Sequence, residues 1–435
     1  MLILGLDIGS SAVRAALVRE GRIVGRVGRD TFATRFDGVR AEVNPRDLLR
    51  AVAMAVGELG AGTRKAEAIG LSVMAPAWVA MDRTGRAITP IVTHQDRRSL
   101  EVAQEIERRV GRRRHLQMAG NRPIPGGISS TTAAWFGKHE PSVMRRADLV
   151  GHLNTFLHRQ ITGRRVVDLS NACFMGLYET IKLGGWNEEL CEAAGVSKGQ
   201  LPEILESNVM AGRVTRGAAA RLGLPKGMPV MAGMIDTSGA MFLAGAKVGQ
   251  LLNVSGSTDV LALCTNRPRP HERLLTRALG VGRMWLSVGT IAAAGSALDW
   301  AKQELFGDLS EREFYRLVGK LARRTAKPSG EVKCDPSFAG DRCSVEQKRA
   351  SFDGLTLAST REDLLAALID ALGEASANRL RLLASRGVRL RRRVVVSGKT
   401  AMGLREVLYR DWPGNWSFVY EDEASLRGLS VVEPQ

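Results

Sequence analysis

Three short segments of this 435-residue chain carry residue types that could do chemistry together. The first is Asp7-Ile8-Gly9-Ser10-Ser11, where an apolar run delivers a carboxylate to a tight glycine turn bearing two hydroxyls. Successive backbone N–H groups in such a turn form a nest for phosphate oxygens, and the carboxylate can hold the Mg²⁺ that accompanies them. The second is Asn253-Val254-Ser255-Gly256-Ser257-Thr258, another apolar run ending in glycine and hydroxyls. The third is Gly233-Met234-Ile235-Asp236-Thr237-Ser238-Gly239, which places a carboxylate in an apolar, glycine-rich stretch. Asp236 can accept the proton of an attacking hydroxyl, or cap the helix that the small residues after it predict. Taken singly, each loop is an ordinary turn. Two of them in separate halves, with a carboxylate between, suggest a nucleotide gripped by two domains.

The elements that position these segments are legible in the pattern. Leu2–Leu6, Val13–Val18 and Arg22–Val27 read as three strands joined by tight turns. Asn44-Pro45 reads as a helix start, with Asn as N-cap and Pro at the first helical position, followed by Leu48, Leu49, Val52, Ala53, Val56 and Leu59 at helical spacing. Ala68–Val73 and Trp78–Met81 are further strands, giving an α/β layer pattern. Residues 100–222 read as a mainly helical insertion. Val230–Met234 and Leu251–Val254 then read as strands, Leu298–Leu305 as a helix, Thr360–Asp363 as a capping box before a long helix, and Val394–Val396 as a buried strand. The expected domains are 1–241 and 242–435, with the crossing expected near Met241 to Gly249.

Composition excludes several classes. Apolar residues make up 44% and charged residues 25%, which is ordinary for a globular chain. Neither a secretory leader nor a membrane span is read, so a cytoplasmic protein with no membrane partner is expected. The 5 cysteines are scattered and fit reduced thiols. The net charge of +17 includes the runs Arg112–Arg114 and Arg389–Arg393. It admits nucleic-acid binding, but no aromatic-interleaved patch accompanies it, and solvated helix faces are the expectation.

Together the motifs resemble the FGGY carbohydrate kinases, a branch of the actin-like ATPase superfamily. Asp7 to Arg14 is similar to the first phosphate loop, Glu42–Pro45 to the acidic-x-x-Pro segment, and His94–Ser99 to the Trp-x-Asp-x-Arg-Ser element, with His94 in the tryptophan place. Ile161–Gly163 with Asp168–Ala172 is similar to the Leu-Thr-Gly…Asp-x-Ser-x-Ala run. Gly233–Asp236 with Gly245 and Gly249 looks like the catalytic-base segment, Gly256–Thr258 like the second phosphate loop, Gly295–Trp300 like the Gly-x-x-x-x-Trp helix, and Pro336–Arg342 like the Pro-x-x-x-Gly-x-Arg turn of xylulokinase- and sedoheptulokinase-like members. The resemblance implies two ribonuclease-H-like domains with Mg·ATP in the cleft between them, and closure of the domains to exclude water. It implies Asp7 on the metal, Gly9, Ser10, Ser11, Arg14, Gly256, Ser257 and Thr258 around the phosphates, Gly295 and Gly398 beside the adenosine, and Asp236 as base. The acceptor it implies is a ketose or related polyol.

Where xylulose-phosphorylating members carry Gln-Met-His-Gly, this chain has Met74-Ala75-Pro76-Ala77. Met74 and Ala75 are therefore expected at the sugar, with less hydrogen-bonding capacity than the family pattern. The adenosine loop reads Ser397–Gly403, with Lys399 expected to be exposed. Asp96 and Arg98 are read as an internal ion pair. The chain stops soon after Glu423–Gly428, where many members carry a further helix packed on the second domain, so an apolar strip there could be covered by a second copy in a homodimer. A sugar or nucleotide sensor without turnover is the competing reading: the altered segments favour it, and the retained Asp7 and Asp236 oppose it.

Overall fold

The computed structural model describes residues 1–324, 332–346, 348–398 and 404–435. The chain forms two compact units. Unit 1 comprises Met1–Lys247, Cys264–Ser287 and Glu423–Gln435, and unit 2 comprises Val248–Leu263 and Val288–Asp422. The first crossing falls after Lys247, within the stretch Met241 to Gly249, and two later segments return to unit 1, which the two-part division did not anticipate. Specific bonds hold them there. Asn121 brackets Thr276, accepting from its N–H and donating to its carbonyl, both at 2.8 Å. The Ala278 N–H donates to Cys173 Sγ at 3.3 Å. Local patterning cannot reveal such long-range pairs.

The core of unit 1 is a seven-stranded mixed sheet. Ile3–Ile8 lies at its centre, antiparallel to Ala12–Arg19 and parallel to Ala68–Val73. Alternation along Ile3–Ile8 builds both faces. Leu4, Leu6 and Ile8 pack with Leu48, Val52 and Val56 of the helix Pro45–Gly57, while Ile3 packs on the other side with Met231, Leu426 and Leu429. That helix starts as its sequence dictates: the Asn44 side chain accepts from the Arg46 N–H at 2.9 Å, with Pro45 following the cap. A second, five-stranded sheet includes Ala77–Met81 and Leu149–His152, and packs its Trp78, Ala80 and Val150 among helices of the insertion. The insertion is less purely helical than its pattern suggests. Short strands at Leu149–His152, Val166–Asp168, Glu203–Leu205 and Met210–Arg213 interrupt it.

Unit 2 repeats the central device of unit 1. Leu251–Ser255 pairs antiparallel with Asp259–Thr265 and parallel with Arg393–Ser397, as Ile3–Ile8 does with its two neighbours. The helices Gly295–Glu304, Glu311–Ala322, Arg361–Ala384 and Leu404–Tyr409 supply its core through Leu298, Phe314, Leu368 and Leu408. The capping box at Thr360 and Asp363 is formed. No helix among the described residues is long and apolar enough to cross a membrane.

The C-terminal segment differs from expectation. The short helix Ala424–Gly428 packs within unit 1, against the helix Asp236–Leu243, and buries Leu426, Leu429 and Val432. The approach is close enough that only glycine fits. A Cβ on Gly428 would lie 1.8 Å from the Gly239 carbonyl oxygen, and one on Gly239 would lie 2.5 Å from that of Ser425. Both obstacles are backbone, so a methyl group forces the helices apart. Gly428→Ala should cost about 2–3 kcal/mol, the scale of overpacking a tight core. Denaturant unfolding would show this as a lower midpoint, and an unchanged midpoint would contradict the packing described.

Candidate active site

Asp7 ends the central strand of unit 1 and is fully buried. A buried carboxylate needs hydrogen bonds and a counter-charge. Ser72, its register partner on the parallel strand, donates from Oγ to Asp7 Oδ1 at 2.5 Å. Arg14, its register partner on the antiparallel strand, donates from Nη2 to Asp7 Oδ2. Arg14 is in turn held by Glu423, whose Oε2 lies 2.7 Å from Nη1, and Glu423 also pairs with Arg29. Burial opposes charge on Arg14, but Asp7 and Glu423 outweigh it and raise the guanidinium pKa.

The turn after Asp7 is closed by the Gly9 N–H donating to the Ala12 carbonyl at 2.9 Å. Its peptide planes are pinned from behind. Phe32 N–H donates to the Ser11 carbonyl at 3.1 Å and Thr34 Oγ1 to that of Ser10 at 3.2 Å. The side chains of Ser10 and Ser11 remain exposed.

Asp236 opens the helix Asp236–Leu243 as its first residue, with Ile235 as N-cap, so it is not the cap itself. It follows the two-residue strand Met234–Ile235, which pairs with Ser72 and Val73. The Asp168 and Ser170 motif positions this strand: Ser170 Oγ donates to Asp168 Oδ1 at 2.5 Å and accepts from the Ile235 N–H at 3.0 Å. Asp236 Oδ1 takes Thr237's N–H at 2.5 Å and hydroxyl at 3.0 Å, and no described hydrogen bond engages Oδ2. Burial first, and the Asp7 charge second, raise the Asp236 pKa above the ordinary carboxylate value.

Arg277 opposes that shift, and sequence reading passed it over. It is buried, donates from Nη1 to Ser238 Oγ at 2.5 Å, and packs its guanidinium 5.7 Å from the Phe174 ring centroid. Burial pulls its own pKa down to about 10, and the Asp236 charge resists this. Nothing local marks it, because it sits in a segment that returns to unit 1 from the second half of the chain.

Met74 and Ala75 do not present themselves alike. Met74 is part of the hydrophobic core, its N–H donating to the Ile8 carbonyl at 2.7 Å, whereas Ala75, preceding a cis peptide to Pro76, is half-buried. His94, Asp96 and Arg98 form a supporting turn. Arg98 pairs with Asp96 at 2.7 Å and with Glu42 at 2.5 Å.

In unit 2, Gly256, Gly295 and Gly398 converge on the end of Leu251–Ser255. The Gly256 N–H donates to the Thr258 carbonyl at 2.9 Å, and the Gly295 N–H to the Gly256 carbonyl at 3.1 Å. A Cβ on Gly295 would stand 2.6 Å from the Gly256 carbonyl oxygen, and one on Gly398, at φ +101°, 2.2 Å from that of Ser255. Backbone is therefore packed where side chains would block a ligand. The Ser257 carbonyl accepts from the Ala294 N–H at 2.9 Å and the Ser296 N–H at 3.2 Å, which ties this loop to the start of the helix Gly295–Glu304. Lys399 and the rest of the adenosine loop through Gly403 lie outside the described residues.

A second buried ion pair underlies this loop. Arg379, on the long helix, meets Asp259 at 2.6 Å and donates to its carbonyl at 3.1 Å, while Asn253 Nδ2 donates to the other carboxylate oxygen at 3.0 Å. Asp259→Ala leaves a buried guanidinium without its charge partner and should cost about 3–5 kcal/mol. Thermal unfolding that matches the parent protein would refute the clamp.

The donor set suits a magnesium-bound nucleotide. Magnesium is usually held by one or two carboxylates together with substrate phosphates, and among the described residues no cluster of three or more metal-ligating side chains forms a self-sufficient cage. Comparison with known proteins agrees. The N-terminal domain of the "FGGY family of carbohydrate kinases" matches residues 2–243, and its C-terminal domain matches residues 251–400. A xylulose kinase of Klebsiella pneumoniae is 23% identical, covering 93% of this chain and 83% of that protein. A glycerol kinase of Thermococcus gammatolerans is 25% identical, covering 99% and 85%. The crystal structure of a xylulose kinase from Rhodospirillum rubrum superposes with a TM-score of 0.85 at 22% identity, over 100% of this chain and 94% of that one, and so shares its fold. With both domain profiles matched across most of its length, this chain belongs to the FGGY family of carbohydrate kinases, ATP-dependent phosphotransferases with an alcohol group as acceptor.

Proposed function

We propose that this chain transfers the γ-phosphate of ATP to a terminal hydroxyl of a ketose or related polyol, xylulose- or sedoheptulose-like, with Asp236 as general base. The observation that carries this reading is the state of Asp236. Its carboxylate has one oxygen fixed by Thr237 and the other without a hydrogen bond among the described residues, and its pKa is raised by burial and by Asp7. A base held in this way accepts a hydroxyl proton more readily than an ordinary carboxylate. Asp236 Oδ2 takes the proton as the hydroxyl oxygen bonds to phosphorus and the bond to the ADP oxygen breaks. Magnesium, when bound with the nucleotide, supplies positive charge to the phosphate oxygens.

The remaining residues orient and hold. Asp7 is the proposed metal-side carboxylate, its geometry set by Ser72 and Arg14. The amides of Gly9, Ser10 and Ser11 are the proposed first phosphate contact, and those of Gly256, Ser257 and Thr258 the second. Gly295 and Gly398 keep the adenosine side free of side chains. At the acceptor, Met74 turns into the core and Ala75 has no polar side chain, so this segment offers only backbone to sugar hydroxyls. Discrimination among hydroxyl patterns then falls to other residues, which supports a polyol different from xylulose itself.

Sugar-dependent ADP release over a panel of ketoses, aldoses and polyols tests the reading. Asp236→Asn should lower turnover by about 10²- to 10⁴-fold while nucleotide binding persists. Turnover that survives the change removes Asp236 as base, and ATP binding without turnover on any sugar points to a sensor instead.

The pH dependence gives a separate test. Asp236 must be ionised to act, so activity falls as pH drops through its raised pKa. The Arg277 charge holds that pKa down. Arg277→Gln should therefore displace the acidic limb of kcat/KM to higher pH, and superimposable profiles would show that Arg277 does not act on the base.

A further inference from the structure

The arginine run Arg389–Arg393 takes no part in the chemistry proposed above, and in unit 2 it does not lie on an evenly solvated face. Arg381, Arg389, Arg391, Arg392 and Arg393 together line a cavity of about 1020 Å³, with Trp416 on its wall and, among the described residues, no carboxylate in its lining. Some surface arginines of this chain pair with acids, as Arg361 does with Asp308 and Arg164 with Glu203. Five arginines line one cavity, with no acid among its described lining residues, which makes the local field positive.

These arginines are held in place. The Arg391 N–H donates to the Gly249 carbonyl at 2.7 Å, and Arg391 Nε donates to the Val248 carbonyl at 2.7 Å. Gly249 sits at φ +82°, and a Cβ there would lie 2.2 Å from the Arg389 carbonyl oxygen, so the run is pressed against a segment that only glycine can supply. Gln250 Nε2 donates to the Arg393 carbonyl at 3.0 Å. Arg392 stacks on Trp416, its guanidinium 4.5 Å from the ring centroid, and a Cβ on Gly414 would come within 3.2 Å of Arg392 Nη1. Like charges brought together and fixed in this way cost stability unless an anion offsets them.

We propose that this cavity is a binding site for a small organic phosphate carrying two or more phosphoryl groups, separate from the transfer chemistry. Arginine forks match phosphate oxygens bidentately, and several on one cavity favour a multiply charged ligand over a single carboxylate. The volume is that of a small-molecule pocket. A single-stranded nucleic acid would need a run of stacking platforms along a groove, whereas here one tryptophan lines the wall and Arg392 already covers its face.

The test is calorimetric titration of the full chain with inorganic tripolyphosphate in the presence of a saturating non-hydrolysable ATP analogue. Binding should persist under those conditions and weaken at least tenfold in the double variant Arg389→Gln, Arg392→Gln. Both side chains are exposed and their removal relieves like-charge repulsion, so the unfolding midpoint should not fall when binding is lost. Equal affinity in the two proteins, or no binding to either, overturns the proposal. Abolition of the binding by the ATP analogue also overturns it, because the anion then belongs to the nucleotide site. A twelve-nucleotide single-stranded DNA that binds more tightly than tripolyphosphate, with the same arginine dependence, would replace the small anion with a nucleic acid.

Discussion

Asp7 is a charge buried at the centre of a hydrophobic sheet, and much of unit 1 is arranged to make that tolerable. A lone carboxylate in such a place would take up a proton or unfold its surroundings. Here each neighbouring strand offers one partner at the register position opposite: Ser72 from the parallel side and Arg14 from the antiparallel side. The constraint then propagates. Arg14 brings its own charge inward, and Glu423 answers it from near the far end of the chain. Asp7 in turn raises the pKa of Asp236, so the residue proposed to face the metal also tunes the residue proposed to take the proton.

Unit 2 treats its proposed phosphate loop differently. The loop Gly256–Thr258 rests on a buried Asp259–Arg379 pair and on glycines that let backbone touch backbone. Its rigidity comes from carbonyls fixed by the helix start at Gly295, whereas that of Gly9–Ser11 comes from its own turn and the adjoining strand. Both solutions serve the same need. A phosphate nest works when its amides are already aimed before the anion arrives, because the cost of ordering them has been met by folding.

This division explains what could be read from the sequence. The strands around Asp7 and Gly256 were legible because short apolar runs, glycine turns and the Asn44-Pro45 cap are local signals. The family resemblance added Gly295 and Gly398 to the expected site, since motif order survives where identity is low. What escaped were the partners that act at long range. Glu423, Arg277 and Arg379 lie in ordinary-looking stretches, and only the fold brings them to Arg14, Ser238 and Asp259. Met74 escaped for another reason. Its match to the first place of the family's Gln-Met-His-Gly segment suggested a substrate contact, but the side chain packs in the core with Val73 and Ile8.

The return of Glu423–Gln435 to unit 1 links these observations. The segment brings Glu423 to the Arg14 side of the proposed phosphate loop and, through Gly428 and Gly239, fixes the helix that Asp236 begins. One short stretch therefore touches both the anion-holding and the proton-accepting parts of the proposed site. A base must be placed to within a fraction of an ångström of its acceptor, and a helix gripped backbone to backbone has little freedom to drift. The glycines at 239 and 428 are thus as much a part of the site's geometry as the carboxylate they help to position, although neither carries a functional group.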